Sequence, residues 1–515
     1  MIRTFAKFGY EGAIVTVETD IRRGIPATDI VGLADSDVVA SRERMKAAIG
    51  NSGFVYPESR VLISFSPADI RKTGTLFDLA IALAVLSESE KENELHSQDE
   101  DVLVLGELTL SGCVRPVRGI TAALQTAVEN GIKYAIIPKT QEAIPDGILV
   151  CQVNNLTEAF GALRLVDADE TYESFQELVE RQEKEKKEKK FSVEFLDSDS
   201  ERNLDNLDGY WFLKYAMTVA VAGRHHILAF GKPGCGKTMI FQHMPEIMPK
   251  LFEEESQSVK RIYSIAGVPL QVESYGRPFR VPHQSASLEG MCGGGKDCRP
   301  GEITFAHNGV LFLDEAAEFR TSVLQMLRIP LESGCLTLSR AGRHTTYPAK
   351  FQLAMATNPC PCGNYGSDRV CLCSAKSIEQ YWKKFSGPLI DIIGIRVNCN
   401  EEKDEDCPHL TLEDMRAYVA NAWEVQYKRQ GKLNQDLTPE EMYQYISLTA
   451  EAERLLKSKE KENEYSKREI YNILKIARTI ADANTSEETP NKKVSEYEIS
   501  KAIQLCYKFP LDIME

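Results

Sequence analysis

The chain has 515 residues, 43% of them hydrophobic and 27% charged, enough apolar material for about three cores of ordinary size. Its formal charge of −15 and pI near 5.3 do not mark a protein that coats nucleic acid, although a ring-shaped motor can confine its basic residues to a channel. No apolar run reaches the roughly 18 residues of a membrane span, the start Met1-Ile2-Arg3-Thr4-Phe5 lacks a secretory pattern, and thirteen cysteines without an export signal point to reduced thiols, so a cytoplasmic protein with no membrane contact is expected.

Residues 1–169 mix short alternating stretches, such as Ala13 to Val17, with helical periods at Val38 to Ile49 and Phe77 to Leu86, which predicts an α+β domain. From Leu105 to Val117 the sequence reads as a hairpin turning at Ser111-Gly112, followed by a helix from Ile120 to Glu129 and a strand from Tyr134 to Pro138. The landmarks Gly106-Glu107-Leu108-Thr109-Leu110 and Gly131-Ile132-Lys133 resemble the proteolytic domain of Lon protease. That family's nucleophilic serine and its lysine do not carry over, because Leu76 and Thr121 stand in their places and neither can perform nucleophilic chemistry of that kind. A protease-like fold used for assembly or partner binding is therefore expected.

Residues 170–203 form a charged stretch, with the run Glu180 to Lys190 and acids from Asp197 onward, and read as a solvated linker or exposed helix. A motor region follows at 204–400. The apolar run His226 to Phe230 leads into Gly231-Lys232-Pro233-Gly234-Cys235-Gly236-Lys237-Thr238, a strand, glycine turn and helix with the spacing of a phosphate-binding loop. Glycines at 231, 234 and 236 let backbone amides close on phosphates, Lys237 reaches the β/γ oxygens, and the Thr238 hydroxyl is suited to Mg²⁺. Gly309 to Glu315 reads as a buried strand ending in two acids, Asp314 to hold Mg²⁺ and Glu315 to orient and deprotonate the attacking water. A third strand, Lys350 to Asn358, ends in an asparagine placed to contact the γ-phosphate or the water; a plain turn asparagine is the alternative.

Cys360-Pro361-Cys362 and Cys371-Leu372-Cys373 supply four thiolates that can close tetrahedrally on Zn²⁺, with reduced loop cysteines as the other reading. Cys292 and Cys298 flank a glycine run and are weaker candidates. Between these features Leu336 to Tyr347 alternates and turns at Ala341-Gly342, a hairpin carrying Arg340, Arg343 and His344 near its tip. The tail, 401–515, is largely helical, and Ile470, Ile473, Leu474, Ala477 and Ile480 share one face.

The runs Arg277 to His283, Ser285 to Leu288 and Pro300 to Gly309, with Pro330 to Gly334, Ser339 to Ala341, Asn358 to Gly363 and Ser386 to Leu389, resemble the magnesium-chelatase-related AAA+ ATPases, and within them the ComM/YifB group. Nearly the whole chain is covered. The resemblance implies an α/β fold built as an AAA+ P-loop motor with an N-terminal Lon-protease-like α+β domain and a C-terminal helical lid. It implies ATP and Mg²⁺ as cofactors, a homo-oligomeric ring (a hexamer) as the assembly, and DNA as the partner, with ATP hydrolysis driving branch migration in DNA uptake and recombination.

By the same resemblance the hairpin points into the ring's channel, where Arg340 and Arg343 track a phosphate backbone, and Arg468 is the lid arginine that reaches the γ-phosphate. Two positions depart from the family pattern: Ile392 stands where an arginine acts across the subunit interface, and Tyr210 stands where the adenine side has glutamine. A metal-chelation motor and a slow nucleotide-switched assembly factor are the competing readings, and an ATP-dependent protease is disfavoured by Leu76 and Thr121.

Overall fold

The computed structural model describes residues 1–90, 101–166, 193–196, 204–268, 276–400, 410–461, 465–485 and 493–507, apart from positions 8, 11, 33–35, 69, 71, 73, 141, 208, 296–297, 341–342 and 386. Most of the charged stretch at 170–203 lies outside these residues. Among the described residues no helix is long and apolar enough to cross a membrane.

The first region is built on seven strands: β1 (Ile2–Ala6), β2 (Ala13–Arg22), β3 (Ala27–Val31), β4 (Arg60–Ser66), β5 (Val102–Val104), then, after the small hairpin β6 (Glu107–Leu108) and β7 (Val114–Arg115), β8 (Tyr134–Pro138) and β9 (Leu149–Val153). The sheet order is β3-β4-β2-β1-β5-β8-β9; β2 runs antiparallel to both its neighbours, and the half from β1 to β9 is parallel. The apolar helix Asp78–Glu90 is buried along most of its length and forms the centre of this core with Phe5, Phe65 and Leu103. The predicted hairpin, the helix Ile120–Glu129 and the strand Tyr134–Pro138 are all present.

The second region holds a five-stranded parallel sheet. Its strands are β10 (Ile227–Phe230), β11 (Phe279–Arg280), β14 (Val310–Leu313), β17 (Gln352–Thr357) and β18 (Ile395–Asn398), in the order β11-β14-β17-β10-β18. Two antiparallel hairpins interrupt the sequence of the sheet: β12 (Gly293–Gly294) with β13 (Arg299–Pro300), and β15 (Cys335–Arg340) with β16 (Arg343–Pro348). The latter is the hairpin expected around Ala341-Gly342.

Continuous apolar runs make these central strands because both faces are covered. Ile227, Ala229, Val310, Phe312, Ala354 and Ala356 face one core, while Leu228, Phe230, Leu311, Leu313, Leu353 and Met355 face the other. The first of these cores is shared with the C-terminal helices, chiefly Leu412–Gln430, Lys467–Ala483 and Glu496–Leu505, and with the helix Trp211–Gly223. The helix Lys467–Ala483 starts at Ser466, whose hydroxyl accepts the Glu469 amide while the Glu469 carboxylate accepts the Ser466 amide, a reciprocal cap that fixes where the helix begins.

The two regions meet along the helix Glu253–Ala266. Arg261 donates to the Tyr10 carbonyl at 3.0 Å, to Glu129 at 2.8 Å and to Thr126 at 3.1 Å, and its guanidinium lies 4.8 Å from the Tyr10 ring centroid. The Gly9-Tyr10 turn also presses on the hairpin: the Tyr10 amide donates to Thr345 Oγ1 at 3.2 Å, and its ring meets Tyr347 edge to face at 6.2 Å.

Candidate functional site

All five parallel strands point their carboxyl ends the same way, the edge at which open α/β sheets bind ligands. From β10 the chain turns through Gly234 (φ 84°) and Gly236 (φ 76°), left-handed conformations that favour glycine, before the helix Lys237–Gln242 begins. Lys237 is buried, and its ammonium donates to the Gly231 carbonyl at 2.7 Å, the Lys232 carbonyl at 3.0 Å and the Cys235 sulfur at 3.4 Å. A positive charge is thus held at the loop by neutral acceptors.

The end of β14 stands against the loop as the spacing predicts. Thr238 Oγ1 donates to Asp314 Oδ1 at 2.9 Å, and the same oxygen accepts the Glu315 amide at 3.0 Å. A hydroxyl and a carboxylate at that distance fit an octahedral Mg²⁺ bound by one or two protein oxygens plus water and phosphate. Glu315 is exposed and adopts φ 48°, a left-handed backbone uncommon for a residue with a side chain and a mark of strain held by its surroundings.

Asn358 follows β17 and is half-buried. The segment around it is pinned from behind: Thr357 and Tyr381 share a hydroxyl contact at 3.0 Å, and the Trp382 indole donates to the Pro359 carbonyl at 3.0 Å. Directly after it come the four cysteines. The sulfurs of Cys360, Cys362, Cys371 and Cys373 all lie within 4.8 Å of one another, with separations of 3.4, 3.7 and 3.6 Å among the first three. Four sulfurs at about 2.3 Å from a tetrahedral Zn²⁺ are about 3.8 Å apart, so the cluster fits a metal. The Asn364 and Leu372 amides directed at Cys362 hold its thiol down to about 6, whereas at Cys371 and Cys373 a backbone amide is outweighed by burial and the neighbouring thiols, which push the thiols up. Cys292 and Cys298 are buried elsewhere and do not join the cluster.

This cysteine loop lies on the phosphate loop. A Cβ on Gly363 would come within 2.7 Å of the Pro233 ring, and Asn400 ties the two together, accepting the Lys232 amide at 2.7 Å and donating to the Gly366 carbonyl at 3.3 Å. Asn400 was not singled out in the sequence, and nothing in its local pattern marks it; its role comes from following β18, the strand beside β10.

Tyr210, one of the two departures from the family pattern, also lies at the loop. It sits at φ 58° just before the helix Trp211–Gly223, and its ring is so close to Gly236 that a Cβ there would meet it at 2.6 Å. The departure from the family pattern at this position thus places an aromatic ring at the loop.

The arginines separate. Arg340 and Arg343 pair as the last rung of the hairpin. Arg468 opens the helix Lys467–Ala483 with its side chain 56% exposed, 4.0 Å from Glu332. Arg396, on β18, is buried and donates to Glu469 at 2.7 Å, so it latches the C-terminal helices to the sheet and is not presented to a neighbouring subunit. Burial opposes the charge on Glu469, but Arg396 and the Ser466 amide outweigh it and hold the carboxyl below its usual range.

A phosphate-binding loop, a carboxylate-ended strand two places along the sheet from it and the parallel sheet itself define a nucleotide-binding α/β protein, and three family models specify the class further. The model described as magnesium chelatase, subunit ChlI, matches residues 203–407, that of subunit ChlI of Mg-chelatase residues 17–141, and that of its C-terminal part residues 410–505. The chain is 34% identical over 515 residues to the uncharacterised protein YifB of Escherichia coli K12, covering 98% of this chain and 97% of that one. It is 32% identical over 489 residues to the competence protein ComM of Haemophilus influenzae, covering 94% and 93%, and 37% identical over 398 residues to an uncharacterised protein of Mycobacterium tuberculosis H37Rv, covering 76% and 74%. The chain belongs to the ComM/YifB group of magnesium-chelatase-like AAA+ proteins.

Proposed function

We propose that the protein is an ATP-hydrolysing ring motor, a homo-hexamer that moves on DNA and remodels branched DNA during uptake and recombination. The observation that carries the hydrolytic part is the 2.9 Å contact between Thr238 and Asp314, which brings the loop and the acidic strand end to one point. In the proposed mechanism Lys237 and the loop amides hold the phosphates, Thr238 and Asp314 hold Mg²⁺, and Glu315 takes the proton of the attacking water. Asn358 contacts that water or the γ-phosphate, and Arg468 reaches the phosphate when the C-terminal helices close as a lid. When bound by Thr238 and Asp314, the metal would supply charge neutralisation to the phosphates.

Support for DNA as the polymer comes from the relative named as a competence protein and from a hairpin whose backbone pairs positions 340 and 343 in the rung beside its turn. On this reading the arginines follow a phosphate backbone by charge, and the first region is a Lon-protease-like domain retained for assembly. The cytoplasm is the compartment, and Zn²⁺ is the metal of the cysteine cluster. The test is ATPase activity with and without single-stranded, duplex and forked DNA, joined to binding of Arg340→Ala/Arg343→Ala across a salt series. Stimulation by DNA, with a shallower salt dependence in the double variant, supports the reading. A rate indifferent to every DNA form, with porphyrin-pathway proteins recovered as partners, replaces it by a metal-chelation motor.

A further inference from the structure

Cys235 and Cys399 come together at the phosphate loop, 164 positions apart in the chain but adjacent in space. Cys235 lies inside the loop between Gly234 and Gly236, and Cys399 follows β18, its amide fixed to the Phe230 carbonyl at 2.8 Å. The Cys235 sulfur and the Cys399 Cβ are each 3.0 Å from one point, the position that a Cβ on Gly231 would take, so the two side chains share a space that only glycine leaves open. Both residues are half-buried, which leaves the pair open to a small oxidant. The Lys237 ammonium, 3.4 Å from the Cys235 sulfur, adds positive charge to it.

We infer that Cys235 and Cys399 form a modification site, closed to a disulfide by hydrogen peroxide or a small hydroperoxide, and that closing it shuts the nucleotide loop. The contact with the Cys399 thiol, with Lys237 beside it, holds Cys235 down to about 6, while Cys399 is pushed up by its partner and by burial. One sulfur is thus the nucleophile and the other the resolving thiol. The Cys235 thiolate attacks one peroxide oxygen, the O–O bond breaks, and the leaving hydroxide takes a proton to become water. The Cys399 sulfur then attacks the resulting sulfenic sulfur, forming the S–S bond; the Cys399 proton leaves with the sulfenic hydroxyl as a second water. The net change is two thiols and one peroxide to one disulfide and two waters.

The consequence for the nucleotide follows from what lies next to each sulfur. Asn400, adjacent to Cys399, already accepts the Lys232 amide, one of the loop's own donors. A bond from Cys235 to Cys399 ties the loop to that segment and holds the Lys232 amide on Asn400 instead of releasing it toward phosphate. The inference rests on the loop being the nucleotide site, which the reduced protein tests separately by its own nucleotide affinity.

The experiment treats full-length protein, reduced and then exposed to hydrogen peroxide, and reads the tryptic peptides by mass together with binding of a fluorescent ATP analogue. Expected are a Cys235–Cys399 linked peptide and at least a tenfold loss of affinity, both reversed by dithiothreitol, with Cys399→Ser keeping its affinity through the same treatment. The cysteines from Cys360 to Cys373 also oxidise, and the Cys399→Ser protein controls for them because it retains all four. Equal loss of affinity in Cys399→Ser and wild type, or a linked peptide joining Cys235 to any other cysteine, overturns the assignment. Failure of the reduced wild type to bind the analogue overturns the loop reading instead.

Discussion

The two sheets of this protein carry similar inventories of reactive side chains and use them in opposite ways. In the first region Ser41, Arg44 and Asp78 form a cluster in which both the serine and the arginine donate to a fully buried carboxylate, and Lys72, also fully buried, is spent on the Pro67 carbonyl. Leu76 is buried, and Thr121 uses its amide on Glu142 and its hydroxyl on the Ala143 carbonyl. In the second region the polar groups stand at the carboxyl edge of a parallel sheet, where Asp314 and Asn358 are half-buried and Glu315 is exposed. The difference teaches that chemistry follows access and spare bonding capacity. Groups locked into internal pairs hold a fold together; groups held at a rim, on strained or glycine-bearing backbone, remain available to a ligand.

The sharpest way to break that comparison is at the rim. Lys237→Ala is expected to abolish ATP binding, whereas Glu315→Gln keeps binding and loses turnover by about 10² to 10⁴, the contribution of a positioned general base. Isothermal titration and a phosphate-release assay separate the two, and wild-type hydrolysis by Glu315→Gln removes it from the reaction. Both variants are expected to melt as the wild type does.

The mirror experiment is in the first sheet. Leu76→Ala is expected to cost about 2 to 5 kcal/mol by the cavity it leaves, read from denaturant midpoints, while ATPase activity per folded molecule holds. A loss of catalysis at full stability would show that the first region takes part in the chemistry. Intermediate in size is the cysteine cluster: protein prepared without chelator is expected to hold about one zinc per chain by elemental analysis. Absence of metal there would assign the four sulfurs to ordinary loop thiols.

A smaller effect is expected at the Arg396–Glu469 latch as pH falls. The folded Glu469 carboxyl is depressed, so its contribution is complete above the unfolded carboxylate pKa near 4.3 and is lost as pH falls through the lower folded value. Stability of Glu469→Gln is expected to fall less steeply with pH over that window than that of the wild type. Smallest is the gain at Ile392, where Ile392→Arg is expected to raise a slow basal rate a few-fold, since Arg396 is committed to Glu469 and does not fill the role. A fast wild-type rate lost on changing Arg328 or Arg320, both exposed, would locate the interface arginine there.

Much of this was legible beforehand because it is local. The glycine spacing of residues 231–238, the apolar run before Asp314, the alternation around Ala341-Gly342 and the three- and four-residue spacing from Ile470 onward each encode their own geometry, and each element formed where its pattern placed it. The second region's neighbour relations were not encoded that way. Asn400 against Lys232, Cys399 against Cys235 and Glu469 against Arg396 are contacts over 73 to 168 positions, made by strands whose order in the sheet is set by packing, not by periodicity. Tyr210 is an intermediate case: the sequence marked it as a departure, but its left-handed backbone and its ring against Gly236 are recorded by no pattern of hydrophobicity.

The Gly9-Tyr10 turn has a mechanical consequence. A Cβ on Gly9 would fall 1.7 Å from the Thr345 hydroxyl, so backbone and hairpin are in direct apposition, and Arg261 fastens the same turn to the motor's helix. The hairpin is therefore a cantilever, rooted at Thr345 and Tyr347, with the rung at positions 340 and 343 at its far end. A displacement of the far end would be resisted at that root by the turn between β1 and β2 of the seven-stranded sheet. Cutting the chain within residues 170–190 leaves that anchorage untouched, and the two fragments are expected to elute as one body.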